Sequence, residues 1–235
     1  VSKIFHEDEY KIFDKLIQNR KNNRLGPLGW VQVYLSRSDL INKTPSFEGH
    51  NLVVARGREF VAQKSFNLNT FDGGVRADWR SHTITHFAVG SGGATVNNDI
   101  VDLNGPFICD TGLYEPISLG NASYLEEPST YSSGDGIHEY TDAVKPITTD
   151  GEVILELDNY TGGTTSCDYY TKVKCTCVVA DGEPSALNPG SSVEISEAGL
   201  YFVNGTDAQM FSHICFAPKW TEKSSELIII WYILF

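Results

Sequence analysis

Positive charge is scarce in this chain: 18 lysines and arginines stand against 30 acidic residues, a net charge of −12 at neutral pH. A surface of that sign repels phosphate, and no basic patch stands out beyond residues 19–24, so nucleic acid is excluded as an expected partner. Long apolar runs are also missing. The run from Leu227 to Phe235 is about half of the roughly 18 residues a membrane helix needs, which excludes a spanning segment there. The first residues carry no cationic, apolar leader, so export by the usual route is not expected.

Catalytic signatures are lacking as well. No G-x-S-x-G occurs, the serines and cysteines have no local base, and no carboxylate pair stands apart from the many acids. The expectation is a protein that is not an enzyme and has no cofactor or metal. Three features imitate chemistry. GSGGA (90–94) looks like a phosphate loop but is followed by no Gly-Lys-Ser or Gly-Lys-Thr and by no helix, so it reads as a turn. His82 and His86 are spaced for a metal pair on a helix. They sit in an alternating strand pattern, where residues four apart lie roughly 13 Å from each other. The cysteines number five, an odd count, and read first as buried thiols. A disulfide stays open, and Cys175-x-Cys177 lacks the spacing of a zinc knuckle.

What is present favours strands. Glycine (21), proline (9) and 11% aromatic residues suit strands and turns, and 41% hydrophobic residues suffice for one large core. FHEDEYKIFDKLIQNR (5–20) is the exception: Phe5, Ile12, Phe13, Leu16 and Ile17 recur at helical spacing, with acids first and bases last, as the helix dipole prefers. RLGPLGW then breaks the pattern. This predicts an amphipathic arm over 1–24, docking on the domain or on a neighbour.

WVQVYL, SHTITHFAVG, GEVILELDNY and TKVKCTCVVA read as strands, the last with Val173, Cys175, Cys177 and Val179 on one face. HNLVVARGREFVAQKSF (50–66) reads as the one internal helix, with Leu52, Val53, Phe60, Val61 and Ala62 on its apolar stripe. Residues 90–150 read as long loops, and ISEAGL (195–200) as a turn between strands. The fold expected is mainly β: a β-sandwich-like domain over 25–235, with about eight strands, following the helical arm. The final strand is apolar on both faces, Trp231 and Ile233 on one, Ile230 and Tyr232 on the other. Such a strand is either central in a sheet or covered by another subunit.

Two stretches taken in order carry a resemblance. One is NLVVARGREFVAQKSF followed about twenty residues later by THFAVGSGG; the other is EISEAGLYFVNGTDAQMFSHICFAPKWTEKSSELIIIWYILF. Together they resemble structural proteins of tailed bacteriophages, described as virion, tail-fibre or collar-type proteins. Members carry an Asn-Leu then Gly-Arg-Glu helix, a strand ending in Ala-Val-Gly-x-Gly, an SEAGL turn and a terminal strand with Trp and Phe at alternate positions. Residues 105–192 lie outside the resemblance, and Cys215 stands where a small or polar residue is usual.

The resemblance implies a non-enzymatic virion component of the tail, neck or collar, assembled in the host cytoplasm, with copies of itself and other virion proteins as partners. The apolar residues expected at the assembly interface are Phe5, Phe13 and Ile17 of the arm, and Trp231, Tyr232 and Ile233 of the final strand. The alternatives are a capsid decoration protein, or a carbohydrate- or receptor-binding β module. In the latter, Trp79, Tyr114, Tyr124, Tyr131, Tyr140 and Trp220 would stack on a surface glycan.

Overall fold

The structure, a computed structural model, describes residues 7–21, 28–67, 70–71, 74–75, 78–97, 100–117, 119, 129–133, 136–140, 144–157, 171–180, 183, 193–205, 207–221 and 226–235. The helices are α1 (Glu7–Lys21), α2 (Arg37–Asn42) and α3 (Ala55–Phe66). The first strands are β1 (Leu28–Tyr34), β2 (Phe47–Val53), β3 (Thr70–Phe71), β4 (Gly74–Val75) and β5 (Thr83–Gly90). Three pairs of short strands follow: β6 (Ala94–Asn97) with β7 (Ile100–Leu103), β8 (Ser129–Ser133) with β9 (Gly136–Tyr140), and β10 (Lys145–Pro146) with β5. The chain finishes with β11 (Glu152–Leu157), β12 (Thr171–Val179), β13 (Val193–Asn204), β14 (Asp207–Thr221) and β15 (Leu227–Leu234).

Nine of these strands form one curled sheet in the order β10-β5-β13-β14-β2-β1-β15-β12-β11. Strand β2 makes the curl. It pairs with β1 through residues 47–51 and with β14 through Leu52 and Val53, so one strand serves both halves. Between the halves lies the main core: Val31, Val33, Cys175, Cys177, Ile229 and Trp231 from one side meet Phe87, Ile195, Leu200, Phe202, Phe211 and Phe216 from the other. The two ends of the sheet are joined by the chain itself, because β10 and β11 are separated only by residues 147–151, which begin with a 3-10 turn over 147–149. Across that seam Lys145, fully buried, donates to Val178 O at 2.8 Å, to Asp150 at 2.6 Å and to both oxygens of Glu183 at 2.8–2.9 Å.

The strand patterns read from sequence at β1, β5, β12 and β15 hold. Strand β15 lies between β1 and β12 with both faces buried. Ile229, Trp231 and Ile233 enter the main core, while Ile228, Ile230, Tyr232 and Leu234 form a second cluster under Ile12, Phe13 and Leu16 of α1. The second apolar face is therefore covered by the chain's own helix, not left for a neighbour.

Four expectations are corrected. The internal helix is α3 alone, over 55–66, because Leu52 and Val53 are already committed to the β2 ladder. Its inward residues are Gly57, Phe60 and Gln63, and Gly57 is needed because a Cβ there would meet Phe211 O at 2.3 Å. A second internal helix, α2, was missed; Ser36 caps it, its Oγ accepting from the Asp39 N–H, and Lys43 ends it at φ 55°. ISEAGL is no turn: β13 runs straight through it, with a bulge between Ile195 and Glu197. Finally, residues 90–150 hold hairpins β6–β7 and β8–β9 in addition to loops.

Candidate functional site

The outer face of β13 and β14 holds an unexpected concentration of polar groups. Glu197 stands opposite Cys215, and His213 stands opposite Gly199. Because residues two apart on a strand share a face, His213 and Cys215 point together toward Glu197. All three are buried: Glu197 and His213 at 0% exposure and Cys215 at 6%.

What covers them is the segment from Asn104 to Ile117, running back over the sheet after the β6–β7 hairpin. Leu113 fills an apolar patch with Val54, Ala88, Tyr201 and Met210. Backbone bonds fix both ends of the cover: the Ala55 N–H donates to Ile108 O, the Ser91 N–H to Glu115 O and the Ile117 N–H to Val89 O.

Glu197 is the centre of this arrangement. Its Oε1 accepts from the Gly92 N–H at 3.0 Å and the Glu115 N–H at 2.8 Å; its Oε2 accepts from the Tyr114 N–H at 2.9 Å and from His213 Nε2 at 2.9 Å. A buried carboxylate is costly unless hydrogen-bonded, and four donors supply that requirement. GSGGA is the turn expected, over 91–93, and its Gly92 N–H gives the carboxylate one of its four donors. Its glycines are there for space: a Cβ on Gly90 would lie 2.5 Å from Glu197 Oε1, and one on Gly93 would lie 2.0 Å from Ser196 O.

His213 bridges two carboxylates, with Nδ1 donating to Asp110 Oδ2 at 2.8 Å opposite the Nε2 bond to Glu197. Burial opposes its charge, but the hydrogen bonds to Asp110, Cys215 and Glu197 outweigh it, raising the imidazole pKa from 6.5 to about 11. Asp110 Oδ2 also accepts from the Phe107 N–H at 2.8 Å and the Tyr114 hydroxyl at 3.1 Å. Cys215 Sγ lies 3.7 Å from His213 Nε2.

Cys215, His213 and Asp110 have the connectivity of a thiol–imidazole–carboxylate triad, yet two features argue against nucleophilic catalysis. Glu197 already occupies Nε2, and the thiol is buried, at 6% exposure. Among the described residues, Glu197, His213 and Cys215 are the group whose ligand atoms converge, all within 4.8 Å of one another. Sequence reading missed them. The available signal was FSHICF, a strand in which His and Cys alternate with large apolar residues, matched by an acid in the paired strand.

The residues expected at an assembly interface are placed as follows. Phe13 is fully buried, its ring edge-on to Tyr232 at 5.7 Å, and Ile17 is partly buried beside them. Trp231 and Ile233 lie in the main core. Phe5 is outside the described residues. Of the aromatic residues considered for sugar stacking, Trp79 is buried in the main core, while Tyr114 is half-buried with its hydroxyl bonded to Gly105 O and Asp110. Tyr124 and the side chains of Tyr131, Tyr140 and Trp220 lie outside the described residues. His82 and His86 do not converge: His82 is bonded to Asp207 at 2.9 Å and His86 to Thr85 at 2.9 Å. Among the described residues no helix is long and apolar enough to cross a membrane.

Comparisons of the chain with protein-family models, with curated proteins and with solved structures found no match.

Proposed function

We propose that the chain is a non-enzymatic structural protein of a tailed-phage virion, serving at the tail, neck or collar through contacts with further copies of itself. The observation that carries the assembly part is the β6–β7 hairpin. Among the described residues it pairs with no other strand, and Val96, Ile100, Val101 and Leu103 on it are 41–63% exposed. Phe107 and Ile108, 68% and 45% exposed, follow directly in the chain. A two-stranded hairpin is marginal by itself, and apolar side chains left in water on it and on the start of the cover are what a protein–protein contact would bury.

The virion part is supported by the resemblance. Its two stretches, far apart in sequence, supply β2–α3, β5, β13, β14 and β15, and β5 pairs directly with β13. Of these, β5, β13, β14 and the end of β2 are neighbours in the sheet, with α3 packed on β14, while β1 separates β15 from them. We read the two halves of that sheet as the layers of a sandwich joined at β2. The glycan-binding alternative loses Trp79 and Tyr114, which are committed inside the fold. Trp30 does not replace them, since His50 packs edge-on at 4.8 Å and Lys15 lies over its ring at 5.6 Å.

Location is the test. Gold-conjugated antibody against this chain, applied to purified particles, should decorate one place on the tail, neck or collar at a fixed symmetry. Particles that carry none of the chain would contradict the proposal.

A further inference from the structure

We infer that Glu197, His213 and Cys215 form a binding site for a single divalent transition-metal ion of the zinc class, one that bridges β13 and β14 beneath the 104–117 cover. The donor set is a carboxylate oxygen, an imidazole nitrogen and a thiolate sulfur, the mixture that zinc and cobalt(II) take and that magnesium and calcium do not.

Geometry supports the assignment. Bonds of 2.0–2.3 Å at tetrahedral angles place ligand atoms about 3.3–3.7 Å from each other. His213 Nε2 and Cys215 Sγ are already 3.7 Å apart. His213 Nε2 and Glu197 Oε2 are 2.9 Å apart, the separation of two atoms sharing a proton, and a metal ion replacing that proton needs the pair to open by a few tenths of an ångström. Oε1, held by the Gly92 and Glu115 N–H groups, keeps the carboxylate in place while Oε2 turns to the ion.

The outer partners have the arrangement that metal-binding histidines use. His213 gives its other nitrogen, Nδ1, to the Asp110 carboxylate, which fixes the ring with Nε2 toward the ligand position. Asp110 is held in turn by the Phe107 N–H and the Tyr114 hydroxyl. Asp110 is therefore a positioning residue. Binding releases the Cys215 thiol proton and the proton shared by His213 and Glu197, and a four-coordinate ion takes its remaining ligand from water. The entry path is the cover itself, whose tip at Phe107 and Cys109 is exposed.

The experiment is a cobalt(II) titration of the full chain, reduced and stripped of metal. One equivalent should produce the near-ultraviolet thiolate-to-cobalt band together with strong visible bands of a tetrahedral site, and zinc should bleach both. Cys215→Ser, a near-isosteric change, should abolish the thiolate band while circular dichroism stays unchanged. Asp110→Asn should weaken binding about 10- to 100-fold. Cys109→Ser, altering the exposed thiol nearby, should leave the titration as in the parent. Absence of a band at one equivalent would overturn the inference. So would a band that survives Cys215→Ser, or one that disappears in Cys109→Ser.

Discussion

Glu197 shows how a charged side chain can occupy the middle of a strand without exposure. Its four donors come from β14, from the turn after β5 and from the cover, so one carboxylate ties three segments together. Glu197→Gln keeps the shape but sets an NH2 against those donors, and the loss should be about 3–5 kcal/mol, the cost of breaking a buried charge pair. Urea unfolding measures it. His213 carries a pH signature. Its folded pKa, about 11, lies above the unfolded value near 6.5, so its stabilisation is complete below pH 6.5 and is lost as pH rises toward 11. Metal-free protein should therefore lose stability across that window, and His213→Gln should flatten the slope. The thiols divide by burial. Burial pushes Cys175 up to about 12 and Cys177 well above its ordinary value, whereas Cys109 is exposed. At pH 8 a thiol reagent should label Cys109 in the native chain and leave Cys175 and Cys177 unmodified until denaturant is added. Labelling of the pair at the native rate would contradict their place in β12.

Helix α1 is an element whose role the sequence left open, and the structure resolves it: Ile12, Phe13 and Leu16 roof the outer face of β15. Glu9 adds polar ties, to Lys174 at 2.6 Å and to the Tyr232 hydroxyl at 3.5 Å. Phe13→Ala should cost about 3–5 kcal/mol in the isolated subunit. Removing residues 7–21 should leave Ile228, Ile230, Tyr232 and Leu234 uncovered, and the truncated protein should aggregate or lose its near-ultraviolet circular dichroism. A truncated chain that unfolds like the parent would mean that α1 contributes little to the subunit's core.

Elements built on local alternation were legible: Val31 and Val33, Cys175 and Cys177, and both faces of β15 fall where period two puts them. Elements decided by distant partners were not. Ser196 to Gly199 resembles a turn until the N–H groups of residues 92, 114 and 115 make a buried Glu affordable in a strand. Leu52 and Val53 fit a helical stripe, but their ladder partners in β14 outweigh propensity. The candidate site was hidden for the same reason, since Asp110 lies 103 positions from His213.

For the molecule as a whole, the curled sheet is closed by a five-residue passage from β10 to β11 and by Lys145 plugged into the seam. Lys145→Met removes the ammonium while keeping the length, so Asp150 and Glu183 lose their bonds to it, although Glu183 still accepts from the Ala180 N–H at 2.7 Å. A loss of about 3–5 kcal/mol is expected, with earlier hydrogen exchange in β12 than in β1. Assembly is the remaining question at this scale. With the apolar faces of β15 occupied inside the subunit, the exposed hairpin β6–β7 is the surface proposed for contact between copies. Sedimentation velocity on the parent chain and on the Ile100→Asp, Leu103→Asp double variant tests this directly. The parent should sediment as a discrete multimer, and the variant as a monomer with unchanged circular dichroism. A monomeric parent, or a multimer indifferent to both charges, would contradict the account.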